Sequence, residues 1–332
     1  MAVYTNVSAD EIANFIAEYD VGEVVSFKGI AEGVENSNFL LSTTKDKYIL
    51  TLYEKRVNEE ELPFFLGLME HLAHKGIDCA TPIEDNNGNA LKELCGRPAA
   101  LISFLNGLSV SRPNVENCKQ LGSALAEMHL AVSDFELSRQ NSLSLSGWQE
   151  LARSCEDRAD ECMAGLGKVI HSEIEYLSKE WPTNLPTGII HADLFPDNVF
   201  FLDGKLSGLI DYYFACSDML AYDVAICLNA WCFEVDGSFN VTKATGIING
   251  YDKVRSLTEA EKKALLEKQR EEEYKQSVAE KNKQVDEQRK KVATMNNVKK
   301  KPVKTKTSFD PLKLADDELD ALVNGLIDGT IK

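Results

Sequence analysis

A few polar residues near the middle of the chain have the types and spacing to carry out chemistry together. His191-x-Asp193-x-x-x-x-Asn198 follows the apolar run 188–190, and another carboxylate, Asp211, comes thirteen residues after Asn198. The oxygen atoms of Asn198 and Asp211 are the hard ligands that Mg²⁺ prefers, with waters and phosphate oxygens completing its shell. Asp193 is not needed for the metal and can accept a proton from an attacking hydroxyl group.

The elements around these residues are suited to bring them together. Residues 199–202 and 206–210 have strand character, and Asp203-Gly204 between them is typical of a tight hairpin turn. The hairpin returns the chain and so delivers Asp211 beside the other residues. A base, an asparagine and a metal-binding aspartate in this order are typical of phosphoryl transfer. The alternative is three unrelated loop residues.

The rest of the pattern predicts a small sheet followed by helices. Ser8-Ala-Asp-Glu11 is a capping box that predicts a helix to about residue 19, and a second capping box starts at Thr258. We predict strands at residues 24–30, 38–42, 48–53 and 98–104, and helices at 59–75, 115–132, 148–166, 170–181 and 222–233.

Composition limits the class of protein. The 332 residues are 44% hydrophobic and 27% charged, as expected for a globular chain of two units. The net charge of −17 argues against a nucleic-acid partner, and no apolar stretch is long enough to span a membrane. The eight cysteines contain no C-x-x-C pair, and no secretory signal is visible. We therefore expect a cytoplasmic protein with reduced thiols and no membrane association.

Several longer motifs resemble one family. They are Gly29-Ile-Ala-Glu-Gly-Val-Glu-Asn-Ser-Asn38, Tyr48-Ile-Leu-Thr-Leu-Tyr-Glu-Lys-Arg56, Ile210-Asp-Tyr-Tyr-Phe-Ala-Cys216 and Asn229-Ala-Trp-Cys-Phe233. Together with the Asp193 motif they resemble the homoserine kinases of the aminoglycoside phosphotransferase and choline kinase superfamily, over about residues 1–263. The resemblance implies an α+β, bilobal, protein-kinase-like fold. It also implies ATP- and Mg²⁺-dependent phosphorylation of L-homoserine to O-phospho-L-homoserine in threonine biosynthesis.

The pattern of elements and the break in charge near residue 264 divide the chain into three units. Residues 1–105 form an N-lobe with an antiparallel sheet and a helix, and residues 106–264 form a mainly helical C-lobe. Residues 265–332 form a charged tail, helical or disordered, with 12 Lys/Arg and 7 Asp/Glu between 267 and 305. The family normally completes its second lobe with apolar helices, which this tail does not show.

The family's residue roles can be assigned to this sequence one by one. Asp193 matches the catalytic base, and Asn198 and Asp211 match the metal ligands. From their positions, we expect His191 to brace the loop and Asp223, at a helix start, to cap free amide groups and hold the loop. The turn that covers the nucleotide phosphates corresponds to Gly33, Glu35, Asn36, Ser37 and Asn38, and the hinge that holds adenine corresponds to residues 102–105, including Ser103.

One position departs from related kinases. Their third strand carries a Lys or Arg that binds the α- and β-phosphates, whereas the corresponding residue here is the neutral Thr51. Lys28, Lys47 or Lys55 could replace that cation. Glu61, on the following helix, is then either an ion-pair partner or a solvated residue at a helix start.

The substrate contacts and the function class stay open at this point. Residues that could bind a zwitterion, or have ordinary packing roles instead, are Arg139, Asn141, Tyr212, Tyr213, Asp218 and Asn229. His129 is expected to be a core histidine with satisfied hydrogen bonds. One alternative function is a kinase for another small alcohol, such as choline or an aminoglycoside. The other is a non-catalytic nucleotide-binding or interaction protein, which Thr51 and the tail favour and the intact Asp193 cluster opposes.

Overall fold

The computed structural model describes residues 4–31, 36–54, 58–156 and 158–266. The predicted tail therefore lies almost entirely outside the described residues. The first third of the chain forms an antiparallel sheet with strand order β1-β2-β3-β6-β4, and β5 pairs with β6. Its strands are Val24–Gly29 (β1), Ser37–Thr43 (β2), Lys47–Leu52 (β3), Pro82–Ile83 (β4), Lys92–Leu94 (β5) and Arg97–Ser103 (β6).

A helix covers each face of this sheet. Ala9–Ile16 (α1) begins at the predicted capping box, in which Ser8 Oγ accepts from the Glu11 amide and the Glu11 carboxylate accepts from the Ser8 amide. Leu62–His74 (α2) follows a short 3₁₀ turn, Glu59–Glu61. Because side chains alternate along a strand, Leu50 and Leu52 of β3 pack towards α1, while the intervening residues face α2.

The remainder is mainly helical, with two small sheets. The helices are Val115–Ala131 (α3), Leu145–Cys155 (α4), Ala159–Cys162 (α5), Leu166–Glu180 (α6), Leu220–Trp231 (α7), Val241–Val254 (α8) and Glu259–Leu266 (α9). The strands are Leu108–Ser109 (β7), Thr187–Ile190 (β8), Val199–Leu202 (β9), Lys205–Leu209 (β10) and Cys216–Met219 (β11). One hydrophobic core joins α2, α3, α7 and α8 to the inner face of the first sheet.

The single helix predicted at 148–166 is wrong, because the chain forms α4 and α5 there. The side chain of Asp160 accepts a hydrogen bond from the Gly167 amide at 2.8 Å, which caps the start of α6. Gly165 adopts a left-handed φ of 85° just before α6. The left-handed Gly165, which costs a glycine little, therefore separates α5 from α6 near the end of the predicted helix.

Helix α8 was not predicted. Asn240 caps its start by accepting from the Lys243 amide, and Ala244, Ile247 and Tyr251 bury one face. Its two glycines, Gly246 and Gly250, lower intrinsic helix propensity, which hid the pattern.

Glycine allows α8 to lie unusually close to α3. A Cβ atom on Gly122 of α3 would overlap the carbonyl oxygen of Ile247, and one on Gly250 of α8 would overlap that of Lys119. The backbones therefore touch, and the contact fixes the depth at which α8 enters the core.

The described residues also bear on two expectations from composition. No helix among them is both long enough and apolar enough to cross a membrane. All eight cysteines fall within the described residues and are free thiols, five of them buried.

We expect Gly122→Ala to lower the free energy of unfolding by about 1–3 kcal/mol, the usual cost of overpacking. Gly67→Ala in α2 is the matched control, because the nearest atom to its added Cβ lies 3.8 Å away. That control should be neutral or stabilising by about 0.5–1 kcal/mol, since alanine favours helix over glycine. Urea denaturation measures both, and equal effects would contradict the close α3–α8 contact.

Candidate active site

Two strand pairs bring the predicted cluster together. The 191–198 loop connects β8 to β9, and the 210–215 turn connects β10 to β11. Ile190 at the end of β8 pairs with Cys216 at the start of β11, and β9 pairs with β10. The loop and the turn therefore leave the two sheets side by side. The predicted hairpin forms, with Asp203 and Gly204 both at positive φ.

The side chain of Asn198 holds Asp193 in place. Its Nδ2 donates to the Asp193 carbonyl oxygen at 2.7 Å and to Asp193 Oδ2 at 2.9 Å. The same carbonyl accepts from the Phe195 amide at 2.8 Å, which tightens the loop. Because the amide nitrogen is committed to Asp193, the oxygen Oδ1 is the atom that Asn198 offers to a cation.

Asp193 is more basic than an ordinary aspartate. Burial and the negative charge of Asp211 together raise its pKa to about 6, against the opposing effect of the hydrogen bond from Asn198. A carboxylate with this pKa is better matched to accepting a proton near neutral pH than a solvated one. Its environment therefore suits a general base.

His191 braces the loop and is not placed to act as a base. The ring is fully buried, with Nε2 at 3.0 Å from the Ile210 carbonyl oxygen and Nδ1 at 3.3 Å from the Asp193 amide nitrogen. These partners require Nε2 to donate and Nδ1 to accept, so the ring is the neutral Nε2–H tautomer. Burial lowers its pKa to about 4, which keeps it uncharged.

Asp223 anchors the backbone of the same loop. Its buried carboxylate accepts from the His191 amide at 2.7 Å, the Ala192 amide at 3.0 Å and His129 Nε2 at 3.1 Å. Burial by itself would raise the pKa of Asp223, but these contacts hold it below the usual value. His129 Nδ1 bonds in turn to the Tyr251 hydroxyl at 2.7 Å. The predicted core histidine is confirmed, and its link to Asp223 was not predicted.

Asp211 has an unusual backbone conformation just after β10. Its φ of 68° and ψ of 61° are left-handed, which aspartate tolerates better than most residues. Ile210, just before it, donates its amide to the Asn198 carbonyl oxygen at 3.1 Å and accepts from His191. The 210–215 turn is thus bonded to both ends of the 191–198 loop.

These residues suit a Mg²⁺ ion shared with a substrate. Among the described residues there is no cluster of three or more His, Cys, Asp or Glu side chains that could hold a metal. Asn198 would offer an amide oxygen and Asp211 a carboxylate, and a short set of oxygen ligands of this kind suits Mg²⁺ beside phosphate oxygens. The donor chemistry fits the ion.

The predicted phosphate-covering turn is described only in part. Gly33 and Glu35 lie outside the described residues. Ser37 is fully buried at the start of β2, where its hydroxyl donates to Glu54 at 2.6 Å and accepts from the Tyr4 amide at 2.8 Å. Those contacts commit the Ser37 side chain to neighbouring protein groups.

Other predicted nucleotide contacts lie on or beside the strands β2 and β6. The side-chain oxygen of Asn36, Oδ1, accepts a hydrogen bond from the Glu54 amide at 3.4 Å. Asn38 Oδ1 accepts one from the Thr51 hydroxyl at 2.8 Å. Ser103, at the end of β6, exchanges hydrogen bonds with Thr81 through its amide and its hydroxyl. Adenine contacts in the hinge would therefore come from the carbonyl of Ser103 or from later residues.

The remaining candidate residues, for binding phosphate or substrate, lie in different parts of the structure. Lys47 lies 5.7 Å from the centre of the Phe104 ring in the hinge, whereas Lys55 lies outside the described residues. Asn141 donates to Asp218 at 2.6 Å. Tyr212 is fully buried, which excludes it as a substrate contact.

Comparison with known proteins identifies the family. Residues 26–257 match the family described as "phosphotransferase enzyme family". The chain belongs to this family. It is 60% identical to the homoserine kinase of Agrobacterium fabrum over 265 residues, which cover 80% of this chain and 82% of the relative. The homoserine kinase of Bradyrhizobium diazoefficiens is also 60% identical, covering 80% and 81% of the two chains.

Solved structures share the fold. An amicoumacin kinase in complex with AMP-PNP, Ca²⁺ and Ami superimposes with a TM-score of 0.62 at 14% identity, covering 78% of this chain and 82% of that one. A spectinomycin phosphotransferase with ADP and spectinomycin gives 0.60 at 16% identity, covering 79% and 83%. The α+β, protein-kinase-like fold and the resemblance to homoserine kinases are therefore confirmed, and the chain is a kinase.

His191→Gln should reduce the loss of stability in mild acid. The folded pKa of about 4 lies below the ordinary 6.5, so between these values only the unfolded chain takes up the proton. Stability is therefore full above pH 6.5 and is lost as the pH falls towards 4. The wild-type loss between pH 7 and 5 should exceed that of the variant by about 2 kcal/mol. Urea denaturation at both pH values tests this, and parallel losses would contradict it.

Proposed function

We propose that this chain phosphorylates the side-chain hydroxyl group of L-homoserine with Mg·ATP, producing O-phospho-L-homoserine for threonine biosynthesis. The main support for this proposal is the 60% identity to homoserine kinases over four-fifths of the chain. The gathering of a basic Asp193 beside Asn198 and Asp211 supports the same conclusion. The N-lobe of residues 1–105 then covers the nucleotide, and the C-lobe of 106–264 binds homoserine.

Asp193 is proposed to activate the acceptor. It accepts a hydrogen bond from the homoserine hydroxyl and orients that oxygen towards the γ-phosphorus. The new oxygen–phosphorus bond forms as the bond to the β-phosphate oxygen breaks, and ADP leaves. Because Asn198 occupies Oδ2, the hydroxyl proton passes to Oδ1 of Asp193. Positioning of this kind supplies most of the rate enhancement in phosphoryl transfer.

Asn198 and Asp211 are proposed to hold Mg²⁺ through the amide oxygen and the carboxylate. The ion, when bound, neutralises charge on the nucleotide phosphates. His191 and Asp223 keep the loop in its conformation. The turn that includes Gly33, Glu35, Asn36, Ser37 and Asn38 covers the phosphates through its backbone, and the hinge around Ser103 holds adenine.

A cytoplasmic location is also proposed. The eight free cysteines support it, because free thiols persist in reducing compartments. The net charge of −17 supports a small-molecule substrate over a nucleic acid.

The alternative acceptors differ from homoserine in charge. Choline and aminoglycosides are cations, whereas homoserine also carries a carboxylate that needs a partner. A non-catalytic protein would release no ADP with any of them.

ADP release across hydroxylated amino acids, amino alcohols and aminoglycosides tests the substrate. L-homoserine should give the highest kcat/KM, with L-serine and choline far below, because the site must match both the length of the side chain and the zwitterion. Equal turnover of choline and homoserine would overturn the assignment, and ADP release with none of them would favour the non-catalytic reading.

Two variants separate the base from a metal ligand. Asp193→Asn should lower kcat by roughly 10²–10⁴-fold with nucleotide affinity nearly unchanged, because only proton acceptance is lost. Asp211→Asn should instead weaken the use of Mg·ATP and be partly rescued by excess Mg²⁺ or Mn²⁺. If both variants responded alike in a metal titration, the division of roles would be wrong.

A further inference from the structure

The strand position that carries a cation in related kinases is filled here by a neutral hydrogen-bonded group. Thr51 is buried on the inner face of β3, and its hydroxyl donates to Asn38 Oδ1 at 2.8 Å. The same hydroxyl contacts the phenol of Tyr213. The Tyr213 hydroxyl lies 2.9 Å from that of Tyr53, the residue that follows β3. A chain of neutral groups thus runs from the sheet to the turn after Asp211.

Glu61, the expected partner of the missing cation, pairs with a residue of the other lobe. Its Oε2 accepts from Arg139 Nε at 2.7 Å. The guanidinium lies 5.2 Å from the centre of the Phe65 ring, and its side chain is only 17% exposed. The pair is therefore partly shielded from water, where a charge-assisted hydrogen bond is stronger than at an open surface.

Arg139 also fastens the chain that follows the metal ligand. Its Nη1 donates to the Ala215 carbonyl oxygen at 3.2 Å, and its own carbonyl accepts from the Ser217 amide at 2.7 Å. Arg139 thus bonds to both sides of Cys216. The Tyr213 ring packs against Phe65 at 5.6 Å, on the ring that also contacts Arg139.

Two sets of contacts thus connect the N-lobe to residues 213–217. One runs from Thr51 and Tyr53 to Tyr213, and the other runs from Glu61 through Arg139. This segment begins two residues after Asp211, which has a left-handed backbone conformation in the same turn. Contacts that fix the turn therefore also fix the backbone that carries the Asp211 side chain. We propose that Arg139 is a positioning residue that, paired with Glu61, fixes the 210–215 turn and so sets the Asp211 carboxylate for the divalent cation. The proposal rests on the proposed function, in which Asp211 is a metal ligand.

Arginine is required for this role because of its shape. A guanidinium can donate from Nε and Nη1 to two acceptors while its face lies on an aromatic ring. A lysine ammonium keeps the charge but cannot occupy all three contacts. Arg139→Lys therefore removes the geometry and leaves the charge.

The test measures cation binding directly. Mn²⁺ is titrated into each purified full-length variant in the presence of ADP, and free Mn²⁺ is followed by electron paramagnetic resonance. Arg139→Lys and Glu61→Gln should each weaken Mn²⁺ binding by roughly 10- to 100-fold, the usual loss when a group that orients a metal ligand is removed. The KM for homoserine should stay within about threefold, and kcat should recover partly as Mg²⁺ is raised.

Arg158→Gln is the matched control. Arg158 pairs with Glu161 on the surface and is 80% exposed, so its loss should change neither Mn²⁺ binding nor kcat. Thermal melting confirms that each variant is folded. If Arg139→Lys does not fold, two other variants decide the outcome through the same titration: Glu61→Gln, which removes the charge paired with Arg139, and Tyr213→Phe, which removes the hydroxyl that bonds to Tyr53.

Two results would overturn the proposal. Unchanged Mn²⁺ binding in folded Arg139→Lys would show that the turn does not depend on Arg139. Unchanged Mn²⁺ binding with a large rise in the KM for homoserine would identify Arg139 as a contact of the substrate carboxylate instead. Asp211→Asn separates this failure from that of the proposed function, because normal Mn²⁺ binding in that variant would show that Asp211 is not a metal ligand at all.

Discussion

The buried carboxylate of Asp223 is the contact on which the catalytic loop depends. It accepts two successive backbone amides, from His191 and Ala192, and a side-chain bond from His129. Ala192 has a φ of 64°, an unfavourable region for a residue with a Cβ, and the bond from its amide compensates for that strain. A buried carboxylate without these donors would be costly, so the loop and the carboxylate stabilise each other.

The helical packing serves this contact. Glycines at the α3–α8 crossing let the two backbones touch, and that approach brings Tyr251 of α8 against His129 of α3. The Tyr251 hydroxyl also accepts from Arg255, which pairs with Glu261 in the capping box of α9. Hydrogen bonds thus run from the last described helix to the loop that carries Asp193.

The electrostatics of the site follow from gathering carboxylates close together. Asp211 raises the pKa of Asp193, and Thr51, whose hydroxyl contacts Tyr213 of the turn after Asp211, is neutral. The positive charge paired with Glu61 belongs to Arg139, which also donates to the carbonyl oxygen of Ala215, at the end of the turn that carries Asp211. A bound cation would therefore relieve the repulsion between the carboxylates of Asp193 and Asp211. The contacts between the lobes meet at the 210–215 turn, which carries Asp211.

The sequence by itself predicted the Asp193 motif and the hairpin that follows it, because both depend on short-range spacing and turn chemistry. Its longer motifs carried the resemblance that implied the family and the fold class. It did not reveal α8, whose glycines obscure the helical pattern, or the break between α4 and α5. It also could not pair Glu61 with Arg139 or His129 with Asp223. Those partners are 78 and 94 residues apart in the chain, so only the packing of helices and sheets decides which charges meet.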